Sequence, residues 1–387
     1  MEALESLCFI TNSPVRLRVL RFVSEPATLN ELVEGLPHSR PAIRKAAEWY
    51  VDHGWFSKQA GHYHRTAIGA SVLWHFDRTQ EADAGSLSRE EMHFICDSDT
   101  RLALLCYSSL PVTASGLTDY WDGDSTAAKR MMEKLAARGW YKRQGQTYQR
   151  TRTGDAAHAE FERLLAVLEQ IADKKPLFNR LPNHLADLPI SGLENANLFT
   201  PAGGPDAALR ALKRLCNNTA SDGSLDRIRT VCPVYRSTSI STMREFVSFS
   251  TTTEIVFDQP TFRTLCAPEQ WPVLGAMITH PYTEARVYPD DLSFGVGAYD
   301  EQGMISVYND HPGNAAGVGS TDEQLLEWIN ATVDDYWQHS EPVDEEVTAR
   351  IGKYADPSFW DVSRTMMWGA SDEDETASAM LYDLITS

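Results

Sequence analysis

The sequence predicts an α+β chain: two tandem winged helix-turn-helix modules, then an α/β domain and an acidic C-terminal extension. Three observations carry this reading. The first is a self-similarity: Gly54-Trp55-Phe56 recurs as Gly139-Trp140-Tyr141, a spacing of 85 residues. The same spacing, without a gap, pairs Ser13 with Ser98, Arg16-Leu17 with Arg101-Leu102, Pro26 with Pro111 and Thr28 with Thr113. It goes on to pair Glu48 with Glu133, Tyr63 with Tyr148, Arg65-Thr66 with Arg150-Thr151 and Gly69 with Gly154. One register held that long, in only two copies, marks a duplicated domain and not a solenoid. The second observation is the order inside each copy, three helical stretches and then two short β-prone runs. The third is an alternation of helix and strand patterns from Asp206 onward. A chain of 387 residues exceeds one ordinary domain. The expected boundaries are 1–85 and 86–173 for the modules, 174–340 for the α/β domain and 341–387 for the extension.

In the first copy Ser13-Pro14 reads as an N-cap with proline in the first turn. Leu17, Val19, Leu20 and Val23 then recur at helical spacing. Pro26 ends this helix and Thr28 caps the next, Leu29 to Gly35. A third helix starts at Ser39 and stops at Gly54, a C-terminal cap. Trp55 to Lys58 and Tyr63 to Thr66 read as the two strands of a wing. A last helix runs from Ala67 past Phe76. The second copy repeats these elements, with Gln144-Gly145-Gln146 at its wing tip.

The third helix of each copy is two-faced. Ile43, Ala46, Ala47, Tyr50 and Val51 share one face, and Arg40, Arg44, Lys45 and Glu48 the other. In the second copy Ala128, Met131, Met132, Leu135 and Ala136 point inward, and Ser125, Thr126, Lys129, Arg130 and Glu133 outward. A cationic pair thus recurs as Arg44-Lys45 and Lys129-Arg130. The wings add Lys58 and Arg65, then Lys142, Arg143, Tyr148, Arg150 and Arg152. Residues 129–152 hold eight basic side chains and one acid, a local charge of +7 in a chain of −19. A recognition helix in the major groove with a wing on the phosphate backbone needs this distribution. Charges opposite an apolar stripe also serve simply as a solvated face, and Arg44–Glu48 and Lys129–Glu133 have the spacing of i,i+4 pairs. Winged domains that grip proteins are the rival reading, which makes the chain an interaction scaffold.

Glu160 to Asp173 continues the last helix of the second module, with Leu164, Leu168 and Ile171 along one stripe fit for a dimer. Lys175 to Pro205 reads as an irregular wrap. Helices are expected over Ala207–Cys216, Ile240–Phe249, Thr261–Cys266 and Leu325–Trp337. Strands are expected within Leu225–Val234 and over Thr252–Phe257, Glu284–Tyr288, Leu292–Tyr299 and Met304–Tyr308. Residues 341–387 carry eleven acids against Arg350, Lys353 and Arg364, yet hold Tyr354, Phe359, Trp360, Trp368 and Tyr382. That is too aromatic for pure disorder, and one or two docked helices are expected there.

Nine lysines against 26 arginines, with 54 acids, match the composition of salt-in halophiles, where salt screens charge over only about 3 Å at 1 M. No apolar run is long enough to span a bilayer and the N-terminus lacks the order of a signal peptide, so a cytoplasmic location is expected. Cys8, Cys96, Cys106, Cys216, Cys232 and Cys266 fit no zinc or disulfide framework and are expected as free, buried thiols. There is no GxGxxG, Walker, HExxH or GxSxG motif in the right setting. His62 and His64 share a strand face without a third ligand, and the turn Tyr235-Arg236-Ser237-Thr238 reads as a cap. No catalysis, metal or cofactor is expected.

Several features from the second module onward resemble haloarchaeal winged-helix regulators with the middle domain of the methanogenesis regulatory protein family. They are Leu181-Pro182, Asp187-Leu188, Leu193-Glu194-Asn195-Ala196 and Pro205 opening a helix. To these add Cys232-Pro233-Val234-Tyr235 ending a strand, Phe294-Gly295 within Leu292–Val296, and the Trp328–Trp337 helix. The resemblance covers roughly residues 90–340. It implies DNA binding through the winged domain and an effector or oligomer role for the middle domain. The regulators in question carry one winged domain and no such tail, so the doubled module is a departure. The expectation is a transcription regulator that binds double-stranded DNA as a homodimer, with an α/β domain that serves either to sense a small-molecule effector or to oligomerise.

Overall fold

The computed structural model describes residues 3–81, 87–106, 111–118, 124–200, 202, 207–219, 225–233, 247–308 and 316–355. The chain divides into Met1–Ser191 and Gly192–Ser387. In the first unit the elements run α1 (Ala3–Thr11), α2 (Pro14–Phe22), β1 (Ala27–Thr28), α3 (Leu29–Gly35), α4 (Arg40–Asp52), β2 (Phe56–Gln59), β3 (His62–Arg65) and α5 (Ala67–Glu81). The order recurs as α6 (Arg89–Cys96), α7 (Asp99–Cys106), β4 (Val112–Thr113), α8 (Ala114–Leu117), α9 (Ser125–Ala137), β5 (Tyr141–Gln144), β6 (Thr147–Arg150) and α10 (Arg152–Asp173). A short α11 (Lys175–Phe178) follows.

Local chemistry sets these boundaries. Thr28 and Glu31 form a capping box on α3: the Thr28 hydroxyl accepts from the Glu31 amide at 3.3 Å, and the Thr28 amide donates to the Glu31 carboxylate at 2.6 Å. Asp124 caps α9 by accepting from the Ala127 amide at 2.7 Å. Gly54 and Gly139 close α4 and α9 at φ +79° and +77°, a left-handed backbone that favours glycine. The next amide then turns back, Trp55 to the Tyr50 carbonyl at 2.8 Å and Trp140 to the Leu135 carbonyl at 3.1 Å. Trp55 and Trp140 are each 1% exposed, at the centre of their cores. The sheets have three strands each, ordered β1-β3-β2 and β4-β6-β5. Sequence reading finds the hairpins but misses β1 and β4, because two residues are too few for an alternation to register.

The stripe Leu164, Leu168, Ile171 on α10 is buried inside this unit, where α10 packs on α1 and α5. It offers no free dimer face. The boundary expected at 174 also moves. Leu177, Phe178, Leu181, Leu185 and Leu188 are buried, α11 packs on α5 and α10, and the Asn183 amide donates to the Arg65 carbonyl at 2.6 Å. An apolar cluster this dense needs cover, and the first unit supplies it.

His75 on α5 has a measurable consequence. Burial, then the charge of Arg163, push its imidazole down from 6.5 to about 4. Between those values the unfolded chain binds a proton that the folded chain excludes. Stability is therefore full above pH 6.5 and falls as the pH drops toward 4, by about 3 kcal/mol from this group. Denaturant titrations at pH 7 and 4.5 should show a smaller difference for His75→Leu than for the unaltered chain. Equal pH dependence in the two proteins would remove His75 from the account.

The second unit is built on one mixed sheet. Its elements are β7 (Asn197–Phe199), α12 (Ala207–Thr219), β8 (Leu225–Cys232), β9 (Val247–Asp258), α13 (Gln259–Leu265), α14 (Trp271–Ile278), β10 (Thr283–Tyr288), β11 (Phe294–Tyr299), β12 (Gln302–Val307), β13 (Ala316–Ser320), α15 (Glu323–Gln338), β14 (Glu341–Pro342) and α16 (Glu345–Ile351). The strand order is β14-β10-β9-β8-β11-β12-β13-β7. β9 runs parallel to both β8 and β10, and the other pairs are antiparallel. β11, β12 and β13 are buried along their whole length. Arg229 on β8 is held by Glu254 at 2.6 Å, Asn330 at 3.0 Å and Asp334. Burial acts against the Glu254 charge, yet the bonds from Arg227 and Arg229 hold its carboxyl below the usual range.

Several expectations for this half need correction. The stretch read as an irregular wrap contributes β7, which pairs with β13 in the register Phe199↔Gly317. Of the helix expected over 240–249, residues 247–249 are strand, and the rest lies outside the described residues. The helix over 271–278 and the strand over 316–320 went unread. The acidic extension starts inside the fold: β14 pairs with β10, and α16 packs on α14. Trp360, Trp368 and the turn 235–238 lie outside the described residues. Leu325 is buried, while Trp328 and Trp337 are half-buried. Of the cysteines, expected to be buried, Cys106 is exposed and Cys216 is fully buried.

Candidate nucleic-acid interface

The inner faces of α4 and α9 are fixed by packing. Ile43, Ala46, Ala47 and Tyr50 are buried on α4, and Ala128, Met132 and Leu135 on α9. Met131, expected inside, is half-buried. With one face anchored, the helical period places Arg40, Arg44, Lys45 and Glu48 outward on α4, and Ser125, Thr126, Lys129, Arg130 and Glu133 outward on α9; all are exposed. α4 is anchored further by the Tyr50 hydroxyl, which donates to the Arg16 carbonyl at 2.9 Å. The Tyr141 hydroxyl donates likewise to the Leu104 carbonyl at 2.8 Å.

The two cationic pairs differ in their surroundings. Arg44 bonds Glu48 at 2.7 Å, and this bond raises the Arg44 pKa. The corresponding Lys129–Glu133 pair does not form, and Lys129, Arg130 and Lys142 make no ion pair with another described residue. Lys142 and Arg143 are exposed on β5, and Arg152 is exposed where α10 begins. The Arg143 side chain donates to the Gly145 carbonyl at 3.0 Å at the hairpin tip. In the first hairpin Lys58 is exposed and reaches the Tyr63 hydroxyl at 3.3 Å.

Of the residues expected to touch DNA, Tyr148 is buried, and Arg65 and Arg150 are half-buried and bonded within the fold. Tyr148 is 2% exposed and packs in the core. Arg150 bonds Asp155 at 2.6 Å and donates to the Leu105 carbonyl at 2.8 Å. Arg65 donates to the Leu20 carbonyl at 3.3 Å, and burial lowers its pKa. Both arginines therefore tie their hairpin to the second helix of their copy, α2 or α7. The signal was present in the sequence: Tyr148 and Arg150 are two apart on one strand and so share a face. The tyrosine marks that face as inward. His62 and His64 stand in no ligand cluster; among the described residues the grouping with metal-ligand types is Cys106, His158 and Glu162. Sequence reading missed that cluster, because its members are 52 and 56 residues apart in the chain.

No helix among the described residues is long and apolar enough to cross a membrane. No curated protein matches the chain. Two solved structures are similar at a TM-score of 0.30, too low to bear on the fold. One is TrmBL2, described as an archaeal chromatin protein with a novel mode of DNA binding, 14% identical over 70% of this chain and 100% of that one. The other is NucT from Helicobacter pylori, 10% identical over 38% of this chain and 98% of that one. Residues 4–84 and again 89–173 match the family described as the HVO_A0261 N-terminal domain. The resemblance seen from residue 90 onward thus divides. Residues 208–339 match the middle domain of the methanogenesis regulatory protein FilR1, and residues 89–173 are similar to the HVO_A0261 N-terminal domain.

Proposed function

We propose that this chain is a non-enzymatic transcription regulator that binds double-stranded DNA through two tandem winged helix-turn-helix modules. The observation that carries the reading is the set of exposed cations on α9 and the adjoining hairpin that make no ion pair with another described residue, in a chain whose net charge is −19. Unselected surface in so acidic a protein would be acidic. α4 and α9 are the recognition helices, and the β2–β3 and β5–β6 hairpins are the wings. The proposed DNA-binding residues are Arg40, Arg44, Lys45 and Lys58 in the first module and Ser125, Thr126, Lys129, Arg130, Lys142, Arg143 and Arg152 in the second. The family matches support a regulatory role, since the FilR1 middle domain is that of a methanogenesis regulatory protein. The second unit is read as the sensing or oligomerisation domain, taking a small-molecule effector or a second copy of the chain.

A fragment of residues 1–191 should bind duplex DNA on its own, since it holds both modules and the segment that covers them. Fluorescence anisotropy with a labelled duplex, at several salt concentrations, is the test. A folded fragment without affinity, beside a full chain that binds, would overturn the modular reading. A homodimer stays within the proposal only through surface other than the buried α10 stripe. Sedimentation across a concentration range decides it, and a monomer throughout removes it.

A further inference from the structure

The two copies in the first unit differ at one tertiary tether. In the first copy the Arg21 guanidinium at the end of α2 makes an ion pair with Asp77 on α5. Moving on by 85 residues, the same three positions (Arg21, Leu73 and Asp77) become Cys106, His158 and Glu162. The carboxylate is kept, the cation is gone, and a leucine has become a histidine. The Cys106 thiol now donates to Glu162 Oε1 at 3.4 Å, and His158 Nε2 lies 3.8 Å from the same oxygen. One ligand atom from each residue lies within 4.8 Å of the other two.

We propose that Cys106, His158 and Glu162 bind a zinc ion, which takes the place of the Arg21 guanidinium and tethers α7 to α10. Sulfur, imidazole nitrogen and carboxylate oxygen form a donor set that zinc accepts, at bond lengths of about 2.0–2.3 Å. Ligand atoms around a tetrahedral zinc then stand roughly 3.2–3.8 Å apart, so the observed separations need only a small closure. His158 and Glu162 are four apart on α10 and point to one side, which is how a helix offers two ligands to one ion. The third comes from the end of α7, a helix already tied to the hairpin through its Leu104 and Leu105 carbonyls. Cys106 and Glu162 are exposed, so the ion has a path in and water can fill the fourth position. Arg150, the nearby cation, has its charge taken up by Asp155 at 2.6 Å. On binding, the sulfur–zinc bond forms as the thiol proton passes to solvent.

The test is a titration of the chelator-treated full chain with Zn2+, against a chromophoric competitor, beside the double variant Cys106→Arg with His158→Leu. That variant rebuilds at these positions the residues of the first copy, which should preserve the fold. The unaltered chain should take up one equivalent, and the double variant should bind at least about a hundredfold more weakly. Co2+ in place of Zn2+ should give a thiolate-to-metal charge-transfer band in the unaltered chain only, and Zn2+ should raise the melting temperature of that protein only. Zinc binding of equal strength in both proteins would place the ion elsewhere and overturn the site. So would an unaltered chain that takes up no zinc.

Discussion

Replacing Lys129 and Arg130 together by glutamate is expected to weaken duplex binding by about 3 kcal/mol or more, roughly 150-fold at moderate salt, since two charge-assisted hydrogen bonds of about 1.5–3 kcal/mol each would go. The same double reversal at Arg44 and Lys45 should cost less. The two sites have the same place in the repeated fold, so the difference comes from what surrounds them. Arg44 already shares its charge with Glu48 at 2.7 Å, and its hairpin offers Lys58, which is exposed but bonded to the Tyr63 hydroxyl at 3.3 Å. Lys129 and Arg130 have no such partner among the described residues, and Lys142, Arg143 and Arg152 stand exposed in the same copy. For every phosphate that is no longer neutralised, the dependence of log affinity on log salt should also flatten by about 0.9. Anisotropy titrations at three salt concentrations read both quantities. Equal weakening by the two double variants would end the ranking of the modules. Unchanged binding in both would favour the rival in which these domains hold a protein partner.

How far the sequence discloses the molecule depends on the length scale of each signal. The repeat was legible because its register holds for every class of residue: caps (Thr28, Thr113), left-handed glycines (Gly54, Gly139) and core aromatics (Trp55, Trp140). Helices with one clear apolar face, such as α4, α9 and α15, were placed within one to three residues. Signals that need a distant partner escaped notice. β1, β4 and β14 are two residues long, and β7 is three, so they exist only through the strand beside them. α14 is apolar almost throughout and shows no polar face to set a period. At the interface, counting charges found the exposed cations on α9 and β5 but also enlisted Arg65 and Arg150. Those two have a structural use that only the Leu20 and Leu105 carbonyls disclose. The zinc-type cluster was hidden for the same reason: the sequence shows three scattered residues, and the fold brings them within 4.8 Å.

Gly154→Ala should destabilise the first unit by about 3 kcal/mol or more, in the range of core overpacking. Helix propensity argues the other way, since alanine for glycine inside a helix gains about 1 kcal/mol. The sign therefore decides between local preference and tertiary packing. Gly154 lies in the first turn of α10, where its amide donates to the Thr151 hydroxyl at 3.1 Å. A Cβ there would come 2.1 Å from the Trp140 carbonyl oxygen and 2.8 Å from Arg150 Cγ. Neither neighbour can yield cheaply. The Trp140 carbonyl accepts the Thr151 amide at 2.9 Å, and Trp140 itself is 1% exposed. Relief requires α10 to lift away from the turn that joins α9 to β5, which breaks those bonds and opens the core beneath Trp140. Gly69→Ala in the first copy should follow the same rule less severely, because its Cβ would stand 2.5 Å from the Trp55 carbonyl oxygen. Gly145→Ala supplies the contrast: open space surrounds it, and φ is +61°, so only backbone strain of about 1 kcal/mol is expected. Denaturant midpoints of the three variants should fall in the order Gly145→Ala, Gly69→Ala, Gly154→Ala, the last being the least stable. A Gly154→Ala protein as stable as the unaltered chain would show that the close approach of α10 to Trp140 is not part of the native fold.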